Sequence, residues 1–269
     1  MTSKFPNKLL NIYLGYVNTF RDESGALPKL LQLKLDHTSR VMHDASVLMR
    51  LEGWEGTILH TGDVAALLHD TARYLQFHAF GTFRDSESFD HADCAVEIIQ
   101  KQGWLETLPE EEQQNILTAV RLHNKREVPK SLTGTEADLA HIVRDADKLD
   151  ILRILETVVK DGSLARNPEI AWGLPMEGAP NPEVVEAVSQ GRSVSYDAIR
   201  VFADFVLIQV GWLNGGFHFK TAMRLAQERN ALAFRENLLK TLADDHAGIM
   251  RCCDAARAYL EANAASAKA

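Results

Sequence analysis

His37, the pair His69-Asp70, His91, His123 and the segment Asp145-Ala-Asp147 are the residues whose types and spacing could do chemistry. Each falls on or at the end of a stretch with helical periodicity, and each interval holds enough chain for one helix to return. Imidazoles and carboxylates from several packed helices can then converge on one point, as they do where bundles bind metals. Mixed nitrogen and carboxylate ligation suits Fe, Mn, Co, Ni or Zn better than Mg or Ca. Neighbours on a helix point about 100° apart, so His69 and Asp70 reach one ion together only near a helix terminus. There Asp70 can also bridge to a second ion. His69 closes the apolar run Val64–Leu68, where an unpaired polar pair would be costly. A lone histidine on a helix is more often a surface or satisfied core residue. That plain reading stands for His43, His60, His78, His141, His218 and His246. Asp145 and Asp147 lie in a run of alternating charges, yet Ile142, Val143, Leu149, Ile151 and Leu152 around them are apolar, so the acids need partners.

The elements that must position these residues read as helices. Leu9, Leu10, Tyr13, Leu14 and Val17 repeat at helical steps after Pro6. Asp36 is placed to cap a helix from about 37 to 51, stopped by Gly53. Thr57 opens another that leads into His69-Asp70. A loop rich in Phe, Gly, Asp and Ser follows from 77 to 90, then a helix from 91 to 102 ended by Gly103. Pro109 with three glutamates begins the next in the preferred way, proline first and acids in the first turn. Residues 136–161 form a long helix carrying Arg144 to Arg153. Gly173, Pro175, Gly178, Pro180 and Pro182 mark the one convincing break, beyond which 195–212, 217–227 and 229–262 are helical again. The expected fold is all-α: a catalytic bundle over 1–161, a Gly/Pro-rich connection over 162–182, and C-terminal helices over 183–269 packed on the same domain. The aromatic stretch Trp212–Phe219 reads as core before nucleobase shelf, and Cys252-Cys253 as packing.

Composition bounds the function. The 269 residues are 46% hydrophobic, ordinary for a globular protein and too high for a disordered one. Lys and Arg number 29 against 37 Asp and Glu, a net charge of −8, which argues against stable nucleic-acid binding. A small anionic substrate is still compatible, because a metal ion or a few local cations can reverse the field at a site. Three cysteines make no disulfide framework and no C-x-x-C zinc motif. Neither a secretory signal nor an apolar run of roughly 20 residues is present, so the expectation is a cytoplasmic protein with no membrane partner. An oligomer is compatible with all of this.

The order His … His-Asp … His … His … Asp resembles the HD superfamily of metal-dependent phosphohydrolases. The matching pieces are Asp36-His37-Thr-Ser-Arg-Val41, Ala65-Ala-Leu-Leu-His69-Asp70-Thr-Ala-Arg73, Phe89-Asp-His91-Ala, Val120-Arg-Leu-His123 and Asp145-Ala-Asp-Lys-Leu-Asp150. They span about 35 to 155, a little under half of the chain. The resemblance implies that His37, His69, Asp70 and Asp147 bind one metal, with Asp145 behind them. His91 and His123 match the extra histidines of the binuclear branch, where Asp70 bridges two ions. Arg73 stands where many members have a lysine near the substrate phosphate, and a guanidinium serves phosphate at least as well. The Gly-Tyr-Pro segment of the cyclic-dinucleotide phosphodiesterase branch is absent. The dinucleoside-tetraphosphate hydrolases share the spacing more closely but lack such a C-terminal extension.

What the resemblance implies is hydrolysis of a phosphomonoester or phosphodiester of a small substrate such as a nucleotide. Two divalent ions supply a hydroxide, because coordination lowers the pKa of water. Arg73, with Lys148 or Lys125, would offset charge on the phosphoryl oxygens, and Arg84 with Asp85 and Glu87 is a candidate for substrate contact. The alternatives are an HD-fold di-iron oxygenase, and a nucleotide-sensing module without turnover, against which the complete ligand set speaks.

Overall fold

A computed structural model describes residues 5–242 and 246–265, and the described residues are all-α, with no strand among them. They divide into two compact units, 1–150 and 151–269.

In the first unit, α1 (Phe5–Asn18) lays the stripe Leu9, Tyr13 and Val17 into the core against α3. The second helix, α2 (Lys29–Leu51), buries Leu31, His37, Thr38, Val41, Ala45, Leu48 and Met49 on one face. It starts at Lys29 behind Pro28 rather than at the expected Asp36 cap. The run Lys-Leu-Leu-Gln-Leu-Lys-Leu propagates the helix, and Asp36 sits inside it as the acceptor of a 2.8 Å bond from Gln32 Nε2. That added length brings Lys34 onto the face of His37, one turn away.

The short α3 (Thr57–Leu68) is buried through its last two turns, Val64 to Leu68, and packs against α2 and the later α6 (Glu110–Leu122). Small residues allow the approach. A Cβ on Gly62 would collide with Met49 Sδ of α2. After the turn at 69–71, α4 (Ala72–Phe80) continues through residues expected to be loop, because Tyr74 and Gln76 face the core and the stop signal comes only at Gly81, φ +69. The loop therefore spans 81–90. The fifth helix, α5 (His91–Lys101), packs on α4 and α6 and is capped by the Asp90 carboxylate, which accepts from the backbone N–H of Ala92 and Asp93. Pro109 precedes α6, and Gly134 opens α7 (Gly134–Lys160). Tyr13, Val17, Leu68, Tyr74, Val96, Ile116, Leu139 and Val143 are among the residues of one hydrophobic cluster beneath these elements.

The division at 150/151 falls inside α7, upstream of the Gly/Pro-rich segment expected to mark it. The last turns of α7 belong to the second unit because Arg235, fully buried on α11 (Ala231–Leu242), donates to Leu152 O at 2.7 Å, to Ala231 O, and to Gln209 Oε1 from two of its nitrogens. The same unit holds α8 (Pro182–Ser189), α9 (Phe202–Gly211), α10 (Lys220–Glu228) and α12 (His246–Ala265), of which α9, α10 and α12 pack on α11. Within the stretch 212–219, Leu213 and Phe217 are buried, and Cys252 and Cys253 are buried on α12.

Candidate metal centre

Three of the four central histidines stand at helix ends, and local sequence explains each. His69 follows the last residue of α3, and Asp70 occupies the turn before α4, so the chain bends enough to aim both side chains inward. His91 is the first residue of α5, behind the Asp90 cap. His123 follows α6, where the buried Arg144 guanidinium donates to the carbonyls of Leu122, His123, Lys125 and Arg126 and closes the helix end. His37 is interior to α2, while Asp147 and Asp150 lie one turn apart on α7.

These residues meet as two ligand sets that share one carboxylate: His37, His69 and Asp70 form one group, and Asp70, His91 and His123 the other. Asp70 Oδ2 lies 3.5 Å from His37 Nε2 and 3.6 Å from His69 Nε2. Its other oxygen, Oδ1, lies 3.5 Å from His91 Nε2 and 3.6 Å from His123 Nε2. Asp147 Oδ1 joins the first set, 3.1 Å from His37 Nε2 and 3.9 Å from His69 Nε2. Asp145 instead faces Lys148, at 3.8 Å. Among the other histidines, His43, His78 and His218 are exposed, His60 and His141 are half-buried, and none of these joins the groups. The side chain of His246 lies outside the described residues.

Every central imidazole has its Nδ1 on an acceptor. His69 Nδ1 is 2.7 Å from Ala66 O, and His123 Nδ1 is 2.7 Å from Val120 O. A carbonyl can only accept, so both Nδ1 atoms carry a proton, which in the neutral ring leaves the lone pair on Nε2. His37 Nδ1 meets Asp150 Oδ2 at 2.8 Å, and Arg40 binds that carboxylate with two nitrogens at 2.6 and 3.0 Å. His91 Nδ1 meets Asp85 Oδ2 at 2.7 Å. A proton fixed on the far nitrogen and a lone pair turned inward is the arrangement in which imidazole binds a metal. The inward nitrogens then crowd together, His37 to His69 at 3.3 Å and His91 to His123 at 2.9 Å. Divalent cations fit such a set of converging lone pairs.

Electrostatics agree with this reading for His69 and His91 and depart from it at His37, whose near proton a bound cation would have to displace. Burial drives the pKa of His69 down to about 3, and burial with the nearby Arg73 drives His91 down to about 4, so both rings are neutral near pH 7. Burial and Lys34 would lower His37 as well, but hydrogen bonds to Asp147, Asp150 and Asp70 outweigh them and raise it to about 10. Burial pushes Asp70 and Asp147 upward, yet Lys34 and the imidazoles hold Asp70, and His37 with His69 holds Asp147, below the usual carboxylate range.

Cations surround the carboxylates unevenly. Lys34 Nζ bonds Asp70 Oδ2 at 2.7 Å, lies over the Phe83 ring, and keeps 15% of its side chain exposed. Sequence reasoning passed it over. The signal was available, since i and i+3 on a helix share a face. Arg73 reaches Asp70 Oδ1 only at 3.4 Å, and its Nη1 is committed to Gln76, the Phe83 carbonyl and Asp85. Lys148 is largely covered, with burial lowering its pKa to about 8. Lys125 pairs with Asp90 and Asp93, and Arg84 with Glu87. A third acidic group, Asp85, Asp90 and His91, lies on the far side of the His91 ring, with its carboxylates already bonded to Arg73, Gln76, Asn124 and Lys125.

Residues 35–152 match the family model described as HD domain. No curated protein and no solved structure matches the chain. The matched segment contains the His/Asp cluster, which fits an HD-type metal site, and proteins of the HD family are mostly metal-dependent phosphohydrolases. Among the described residues no helix is long and apolar enough to cross a membrane.

Proposed function

We propose that this chain, whose residues 35–152 match the HD domain model, is a metal-dependent phosphohydrolase acting on a phosphomonoester or phosphodiester, with nucleotides and other small phosphorylated molecules as the substrate class. The observation that carries the proposal is the position of Asp70. Its two oxygens face two different pairs of imidazole nitrogens, as a carboxylate shared between two ions must.

His37, His69, Asp147 and Asp70 Oδ2 would hold one divalent ion, and Asp70 Oδ1, His91 and His123 the other. Bound there, such ions supply Lewis acidity and lower the pKa of water. The chain does the positioning. Ala66 O, Val120 O, Asp150 and Asp85 hold the far nitrogens as donors and so turn the near ones toward the ion, which on His37 would take the place of a proton. Lys34 has one hydrogen-bond acceptor and a partly open ammonium beside the shared carboxylate, so it is the cation best placed to offset charge developing on phosphoryl oxygens. Arg73, with Nη1 committed, acts more as a wall of the site and a support for Asp70.

The test is a screen of the metal-reconstituted protein, with Fe, Mn, Co, Ni or Zn, against mononucleotides, cyclic and linear dinucleotides and generic phosphoesters. Metal-dependent phosphate release, lost in Asp70→Ala, is the expected result. Oxygen consumption by a reduced di-iron form without phosphate release would overturn it.

A further inference from the structure

We infer that Asp85 is a positioning residue that ties the second ligand set to the loop 81–90, so that tight binding of an ion by His91 and His123 requires that loop to be docked. The inference rests on the two-ion reading of the centre.

The four central histidines differ in what holds them. His69 and His123 are braced by carbonyls of their own helices, three residues back, and are oriented as soon as those helices form. His37 is braced by Asp150, on the continuous helix α7 and itself clamped by Arg40. His91 alone among them is braced by a loop. Asp85 lies outside the α-helices, in the short 3-10 turn Asp85–Glu87, and it was an expected substrate contact rather than a partner of the centre. Its carboxylate turns inward. Oδ2 lies 2.7 Å from His91 Nδ1 and accepts from Asn124 Nδ2 at 3.1 Å, while Oδ1 accepts from Arg73 Nη1 at 3.0 Å and Gln76 Nε2 at 2.9 Å.

The same donors tie down the loop backbone. Gln76 is buried and also donates to Ser88 Oγ at 2.8 Å and to Phe89 O at 3.2 Å. Arg73 donates to Phe83 O at 2.6 Å, and Ser88 Oγ closes the turn on Arg84 O at 2.8 Å. One carboxylate is thus the junction of α4, the loop, the start of α5 and the residue after His123. An anionic acceptor on Nδ1 fixes the ring and raises the basicity of Nε2. With 31% of the Asp85 side chain exposed, water competes for it when the loop lifts, and His91 loses its brace at the same moment.

The test is a Co(II) titration of the whole chain against a competing chelator, read by the visible absorption of bound Co(II). Two affinity classes are expected. Asp85→Asn weakens one class about 10- to 100-fold and leaves the other in place, as outer partners of metal ligands do. Asp150→Asn weakens the opposite class. Ser88→Ala, which loosens the turn without touching His91, weakens the same class as Asp85→Asn to a smaller extent and stays informative if Asp85→Asn folds poorly. Hydrogen exchange in 82–89 slows on binding the second equivalent in the unaltered chain. Equal weakening of both classes by Asp85→Asn, or no change in either loop variant, overturns the inference. A single class in the unaltered chain refutes the two-ion centre itself and is separable from those outcomes.

Discussion

His91 Nε2 and His123 Nε2 lie 2.9 Å apart, although the far nitrogen of each ring is already held by an acceptor, Asp85 for one and Val120 O for the other. With the far nitrogens so occupied, the two near nitrogens face one another, an arrangement that a shared cation converts into binding. A second pair, His37 and His69 at 3.3 Å, flanks Asp70 from the other side, where the carboxylates of Asp147, Asp150 and Asp70 keep a proton on His37 that a bound cation would displace.

Asp70→Ala removes the ligand common to both sets. Elemental analysis should show loss of both equivalents of metal, while the helical circular-dichroism signal is retained. Phosphatase activity should fall by about 10³-fold or more, since the several kcal/mol that metal ions contribute to such reactions go with them. Full activity in this variant would remove the site assignment.

His91→Ala deletes a ligand of one set only. Metal content should drop by about one equivalent, the fraction that the two-ion arrangement assigns to it, with the His37 set still loaded. Unchanged stoichiometry would replace the binuclear reading with a single-ion site.

Lys34→Met keeps the length and apolar stem of the side chain and removes its charge. Metal content should stay the same while kcat/KM falls about 10- to 100-fold, as for loss of one oriented charge at a developing oxyanion. Lys34→Arg should recover part of the loss. Wild-type kinetics in Lys34→Met would leave Arg73 or Lys148 as the cation that meets the substrate.

Alkaline pH should loosen the first unit through its paired phenols. Tyr13 and Tyr74 share a 2.9 Å hydrogen bond in the core, and burial lifts Tyr13 to about 12 and Tyr74 higher still. Between pH 10 and 12 the unfolded chain releases these protons and the folded chain keeps them, so the folded state binds more protons and stability falls as pH rises. For Tyr13 alone the loss approaches about 2–3 kcal/mol at the top of that window. Urea midpoints at pH 9 and 11 measure it, and Tyr13→Phe should flatten the dependence.

Arg235→Met should cost the second unit about 1–3 kcal/mol, the range for leaving buried acceptors without a donor. It strands Leu152 O, Ala231 O and Gln209 Oε1 without their donor. Thermal or urea denaturation gives the value, and metal binding by the first unit should not change.

How much of this could be read in advance follows from which forces are local. The placement of His69, His91 and His123 at helix ends was visible, because apolar periodicity, with start and stop signals such as Pro109 and Gly103, bounds the helices. Asp36 misled for a local reason too: an acid before a helical run looks like a cap, yet a longer leucine-rich run had already begun the helix. The inward turn of Asp85 was not legible. A loop acid carries no period, and its path is chosen by Gln76, Arg73 and Asn124 only after their helices pack. Asp150 lay between the two cases. It sits one turn from Asp147 in an apolar stretch, but its role as the brace of His37 depends on α2 and α7 meeting.

The first ligand set and its braces draw on α2, the end of α3 and α7, elements widely separated in the chain. An ion held there is a crosslink that exists only in the folded state, so its binding energy is added to the stability of the fold. At a free metal concentration 100 times the dissociation constant that amounts to about 2.7 kcal/mol. In a metal-starved cell such a protein would fall in abundance, through unfolding and proteolysis, and not merely in turnover.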